Sequence, residues 1–274
     1  MIKYWWNGRF FIHQYHLNHS GADNLENIRL SLSNVYDINR KVTTLEQSRS
    51  IINEYLYRKN HTSHFAEWFS IDPPYENFDG YKAGEYVNGA ISPFTAGELA
   101  KAALENGFEE YGWNIICRFM ELVKRDNAAY FLYYPDSSPQ PQGGPSAWGA
   151  ASFINAIDES LAGIKDIGVC YDEMEFSPRF TVTHYTELRY ITGYERSSTM
   201  VNVRYILKNH GMRYDIVSPA KKIKAHVLLP KGKKCTALYI NKQQYPYTTS
   251  CIGESIYLDF TIEIPYEVSI QILF

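Results

Sequence analysis

The spacing of apolar residues changes once along this chain, near residue 165, and that change constrains the fold more than any single motif. Ahead of it, apolar side chains recur three and four apart, the period of a helix with one buried face. Beyond it they alternate in short runs between turn-forming residues, the pattern of antiparallel strands. The expected fold class is therefore α+β and multidomain, with a helical part over 1–168 and an antiparallel β-sandwich over 169–274. A chain of 274 residues is long enough for two cores.

Asp23 suits the cap of a first helix, since Leu25, Ile28, Leu32 and Val35 follow at helical spacing. Thr44 and Gln47 form a capping-box pattern ahead of a second helix, with Leu45, Ser48, Ile52 and Tyr55 on one face and Ile51 and Leu56 beside it. Ser92-Pro93 places an N-cap before a first-turn proline, which predicts a third helix over Phe94–Glu105 ending near Gly107. A fourth over Glu109–Lys124 has Ile115, Ile116, Phe119, Met120 and Val123 as its apolar face. Ser146 caps a fifth, with Phe153, Ile154, Ile157 and Leu161 inward and Gly163 beyond its end. Two long connections, 60–92 and 127–146, are rich in Pro, Gly and aromatic residues. Long and short connections alternate, so the long ones should share one end of stacked hairpins.

The β part offers runs at Phe180–Tyr185, Met200–Leu207, Met212–Val217, Ile223–Leu229, Ala237–Asn241, Ile256–Ile264 and Val268–Phe274. Asn209-His210-Gly211 and Pro230–Lys233 supply turns, and Arg213–Ile216 alternates as a half-solvated strand does.

With 21% charged residues and a net charge of -3, the surface does not present the basic field that bulk nucleic-acid binding needs. The 23 Tyr, 14 Phe and 5 Trp fit a Tyr-rich sheet or a surface that stacks flat ligands and sugars. Cys117, Cys170, Cys235 and Cys251 are too scattered for a zinc site, and Cys235 and Cys251 could pair or stay free thiols. His61 and His64, with His13, His16 and His19, match no standard metal spacing and are expected to be solvated or structural. No cofactor is expected. No apolar run reaches membrane-spanning length, and Met1–Gly8 lacks the pattern of a signal peptide, so the chain reads as cytoplasmic or as a mature or truncated form of an exported protein. No Gly-x-Ser-x-Gly, P-loop or dinucleotide fingerprint is present.

Three stretches carry a family resemblance. Tyr86-Val87-Asn88-Gly89-Ala90-Ile91-Ser92-Pro93-Phe94 is similar to the Tyr-x-Asn-Gly-Gly-x-x-Pro element of six-hairpin, (α/α)6-toroid glycosidases. Ala96–Gly107 and the helix after it resemble the next hairpin of those enzymes. Gly144–Ala150, leading to Leu161-Ala162-Gly163-Ile164, resembles their last inner helix. The resemblance implies a partial toroid of helical hairpins, corresponding to the C-terminal half of such an enzyme, followed by a β-sandwich. It also implies a carbohydrate ligand and carboxylate acid/base hydrolysis. A whole toroid has twelve helices, and its general acid usually lies on an earlier hairpin. The second Gly of the Asn-Gly-Gly element is Ala90 here. The chain is therefore either a fragment or a diverged homologue with an open groove.

Glycoside hydrolysis needs two carboxyl groups, roughly 5–5.5 Å apart for retention or 6.5–9.5 Å for inversion, one of them kept protonated. The long connections offer Glu67, Asp72, Glu76, Asp79, Glu85 and Asp136. Glu85 and Asp136 stand just ahead of family-like elements and are the catalytic candidates. Tyr86, Asn88, Tyr134 and Trp148 are the candidate sugar contacts: a ring stacks on a pyranose, and an amide both donates and accepts. Asn88-Gly89 equally suits a turn of positive φ, Trp148 suits core packing, and any loop acid suits solvent. Asp158-Glu159 and Glu109-Glu110 read as solvated helix faces. Three functions fit: a glycoside hydrolase-like protein, a non-catalytic carbohydrate-binding or assembly module, and an interaction domain. In the last, a partner chain or a second copy completes the half-ring.

Overall fold

A computed structural model describes residues 5–14, 26–263 and 266–274. Asp23, Leu25, His16 and His19 lie outside the described residues. The chain divides into two compact units between Ala156 and Ile157.

Among the described residues the first unit holds five α-helices: α1 Ser33–Asn39, α2 Leu45–His61, α3 Pro93–Glu105, α4 Glu109–Asp126 and α5 Ala147–Asn155. α3 is the hub, packing against the other four. Its buried Ala96, Ala100, Ala102 and Ala103 keep its surface thin. At Gly97 an added Cβ would sit 2.5 Å from the Ser152 backbone, so glycine lets α5 approach. The expected caps are present: Thr44 and Gln47 close a capping box on α2, and Ser92 accepts from the Thr95 N–H ahead of Pro93.

The first helix is shorter than its apolar spacing predicts. Leu30–Ser31 (β1) instead pairs with Ile71–Asp72 (β2), which takes this stretch out of the helical ladder. Ile28 belongs to a 3-10 turn, Glu26–Ile28, and is exposed. Three other expected core residues, Leu45, Met120 and Ile154, are exposed. The α4 face centres instead on Ile115, Phe119 and Leu122, which recur at the helical period. Glu109, expected in solvent, is buried.

The long connections after α2 and α4 lock together. Ile91 and Tyr133 exchange N–H and C=O bonds at 2.9 and 2.8 Å. Within the first, Asn77–Phe78 (β3) pairs with Tyr81–Lys82 (β4).

In the second unit, one sheet has the order β13-β14-β10-β6-β5 and the other β12-β11-β15-β9-β8-β7. The first comprises β5 Ile164–Asp166, β6 Glu173–Phe176, β10 Lys222–Leu228, β13 Thr248–Ile252 and β14 Ser255–Glu263. The second comprises β7 Glu187–Tyr194, β8 Thr199–Lys208, β9 Gly211–Val217, β11 Ala237–Ile240, β12 Gln243–Gln244 and β15 Glu267–Leu273. Phe176 of one sheet meets Tyr214 of the other edge-on at 5.3 Å, inside a core of alternating residues such as Val201, Val203 and Tyr205. The pairing is not wholly antiparallel, because β6 runs parallel to β10. The strand expected over Phe180–Tyr185 is instead a 3-10 turn, Phe180–Val182. It follows the buried Arg179, whose Nη1 donates to the Ser160 and Ser177 carbonyls. Asp158, expected in solvent, accepts a hydrogen bond from the Tyr190 hydroxyl. All four cysteines are free, so Cys235 and Cys251 do not pair.

Candidate functional site

Where the two long connections interlock, aromatic rings line up in a row. Trp148, in the first turn of α5, stacks on Phe94 of α3 with centroids 4.4 Å apart and planes 13° from parallel. Phe131 stacks on Phe94 at 5.4 Å and approaches Trp148 at 5.9 Å. Tyr86 continues the row from Phe131 at 6.3 Å, and Tyr81 from Tyr86 at 4.9 Å. Beneath lie Ala90, Phe94 and Leu132, with Leu32 and Tyr36 against them. Trp148 is 53% exposed, so the row is open at that end. Stacked pairs of this kind contribute about 0.5–1.5 kcal/mol each beyond their burial. Burial first, then the Glu98 carboxylate, pushes the Tyr36 hydroxyl up to about 12 against an opposing pull from Trp148, so it stays protonated.

Polar residues fix the loops that carry these rings. Asn88 is fully buried. Its Oδ1 accepts from the Tyr75 N–H at 2.8 Å, and its Nδ2 donates to the Tyr75 and Tyr81 carbonyls at 3.0 and 2.9 Å. All of that side chain's hydrogen bonding here is spent on the loop. Gly89 has φ +93, and an added Cβ would lie 2.9 Å from the Pro74 ring, so the turn requires glycine. Gln140, also buried, joins the two connections: Oε1 accepts from the Tyr86 N–H at 3.0 Å, and Nε2 donates to the Gly84 carbonyl at 2.7 Å.

The two candidate acids flank the seam, where Gly84 packs against Pro135. Glu85 is half-buried, and its Oε2 accepts from the Lys82 N–H at 2.9 Å, closing its own turn. Asp136 is exposed, and Oδ1 accepts from the Ser138 hydroxyl and N–H at 2.5 and 2.8 Å. Those two bonds hold its carboxyl below the usual range, which keeps it an anion near neutrality. Tyr134 is half-buried in the turn that holds Asp136, with its N–H donating to the Ser138 carbonyl. Among the described residues no ring contact joins Tyr134 to the row. The structure thus links Tyr86 to Trp148 through Phe131, sets Glu85 beside Tyr86, and uses Asn88 inside the loop.

Of the other loop acids, Glu67 is fully buried, bound by both Nη atoms of Arg118 at 2.6 and 2.8 Å and by the Tyr111 hydroxyl at 2.6 Å. Asp72 pairs with Arg58. Glu76 and Asp79 are exposed. Among the described residues no group of three or more His, Cys, Asp or Glu is placed to hold a metal ion, and no helix is long and apolar enough to cross a membrane. Sequence reasoning missed Phe94, Phe131, Tyr36 and Gln140. The run Tyr130–Tyr134 could have flagged Phe131, and nothing local distinguishes Gln140.

The same fold occurs in glycoside hydrolases. The chain matches the α-L-rhamnosidase of Dictyoglumus thermophilum with a TM-score of 0.54 and 10% identity, over 89% of this chain and 25% of that one. It matches the Streptomyces avermitilis α-L-rhamnosidase, solved with L-rhamnose, with a TM-score of 0.52 and 12% identity, over 86% of this chain and 21% of that one. The chain thus spans about a quarter of the length of these solved structures. No protein-family model matches the sequence, and no curated protein does. Five helices are present among the described residues, against the twelve of a closed toroid.

Proposed function

We propose that this chain is the saccharide-binding portion of a glycoside hydrolase-like fold and takes a neutral sugar on the ring row of Tyr86, Phe131 and Trp148. The observation that carries this reading is a stack of Phe94, Phe131 and Trp148, flanked by Tyr86 and exposed at Trp148. Fixed rings stack on the C–H face of a pyranose with little ordering cost, while Glu85 beside the row can accept from hydroxyls. The rhamnosidase solved with L-rhamnose makes that sugar and its oligomers the first ligands to try.

The geometry favours binding over turnover by the chain alone. Asp136, held as an anion, can serve as base or nucleophile but not as the proton donor to a leaving group. Glu85 is engaged in its own turn. Carboxylate acid/base hydrolysis by Glu85 and Asp136 is the second reading, favoured by the place of both acids at one seam. It would need a further acid, which a partner chain or a second copy completing the half-ring could bring. Neither reading calls for a cofactor.

Calorimetric titration with L-rhamnose and neutral oligosaccharides, alongside an assay of released reducing sugar, separates the two. The expected result is saturable binding that Trp148→Ala removes, without sugar release. Release by the wild type that Asp136→Asn and Glu85→Gln abolish would replace the binding reading with the catalytic one. Absence of both binding and release would remove the saccharide assignment.

A further inference from the structure

A second groove, lined by charged and aromatic side chains, runs along α2 on residues the ring row does not use. Two adjoining hollows of about 550 and 460 Å³ share Arg9, Glu54 and Tyr57. Their floor is one face of α2, because Glu46, Ser50, Asn53, Tyr57 and His61 recur at three- and four-residue spacing. We propose that this groove is a separate binding site for an uncharged oligosaccharide.

Three features point to that ligand class. First, Tyr57 lines both hollows and is 56% exposed. His61 stacks on it with centroids 4.1 Å apart, and His61 Nδ1 lies 2.7 Å from the Tyr57 carbonyl oxygen. An open ring on a helix face is a stacking platform for the C–H face of a sugar. Second, the groove's charges balance. Arg9, Arg49 and Arg58 are matched by Glu46, Glu54 and Asp72, which selects against nucleic acids and other polyanions. Third, the donors and acceptors are anchored. Arg9 binds Glu54 Oε2 at 3.0 Å through one Nη while half its side chain stays exposed. Arg49 is tied to the Asn106 carbonyl at 2.7 Å and lies over the Phe108 ring. At Glu46, in the first turn of α2, a backbone N–H and then the Thr44 hydroxyl hold the carboxyl below its usual range. An open ring among anchored donor forks and carboxylates suits a polyhydroxylated, neutral chain.

The inference stands apart from the ring row, and the test keeps the two separate. Backbone amide shifts are followed in the full chain as neutral gluco-, xylo-, manno- and rhamno-configured tetrasaccharides are added to millimolar concentration. At least one should shift Arg9, Asn53, Tyr57 and His61. Tyr57→Ala should weaken that response about tenfold while leaving the shifts around Trp148 intact. Trp148→Ala should do the reverse. Arg9→Ala provides a second variant at an exposed position, and a thermal melt checks that each variant folds. Silence at α2 with every sugar, or α2 shifts unaffected by both Tyr57→Ala and Arg9→Ala, would overturn the proposal whatever happens at the ring row.

Discussion

The long connections of the helical unit and the strands of the β unit are both well packed, yet they keep their shape by different means. In the sandwich, Met212, Tyr214 and Ile216 on β9 face inward beside Val268, Ile270 and Ile272 on β15, and each is one of many similar contributions. In the long connections, single polar residues hold whole turns. Asn88 ties two backbone segments, Gln140 joins the two long connections, and Glu67 collects Arg118 and Tyr111. Redundant apolar burial spreads the cost of a change, whereas a lone buried amide or carboxylate concentrates it.

Substitutions can break that comparison. The largest effect is expected at Glu67→Ala, which leaves Arg118 and the buried Tyr111 hydroxyl without their acceptor. The loss should be about 4 kcal/mol in urea unfolding of the full chain. A loss below ~1 kcal/mol would mean that water or a rearranged neighbour takes over. Asn88→Ala strands one N–H and two carbonyls, and about 3 kcal/mol is expected by the same measurement. Ile270→Val, equally buried but in the sandwich, should cost only about 1 kcal/mol. Were it to cost as much as Asn88→Ala, the contrast between the regions would fail.

A smaller, pH-dependent effect sharpens the picture at Asp126. Hydrogen bonds from Arg125 and then Tyr133 hold its carboxyl below the usual 3.8. A group depressed in the folded state adds stability above its unfolded pKa and loses it as pH falls through the folded value. The gap between wild type and Asp126→Asn should therefore hold steady from about pH 7 to 5 and narrow progressively once pH falls below 3.8. A gap that widens in acid would contradict the assignment. Smallest of all, Trp148→Phe should change stability by less than ~0.5 kcal/mol, since the indole is half exposed.

The same contrast sets what could be read from the sequence. The strands β8, β9, β10, β14 and β15 follow from alternation, and α2 and α3 from their caps, because these signals repeat or sit within a few residues. β6 did not, since four residues gain their place only by pairing with β10, far along the chain. Nor did β1, whose partner β2 interrupts an otherwise helical spacing. Of the ring row, Tyr86 and Trp148 were marked by motif. Phe94 closes the same motif as Tyr86 but carried no site role, and Phe131 and Gln140 acquire meaning when two connections meet. Asn88 was marked too, and its burial shows why a loop motif can look like a site: the turn itself consumes the side chain.

The exposed indole at the end of the ring row reports most directly on sugar binding. Trp148 fluorescence, isolated by subtracting the Trp148→Phe spectrum from wild type, can be followed as L-rhamnose oligomers and other neutral oligosaccharides are added. A saturable change with at least one sugar, lost in Phe131→Ala, is the result expected. An indole indifferent to every sugar, in a chain that melts as a folded protein, would contradict it.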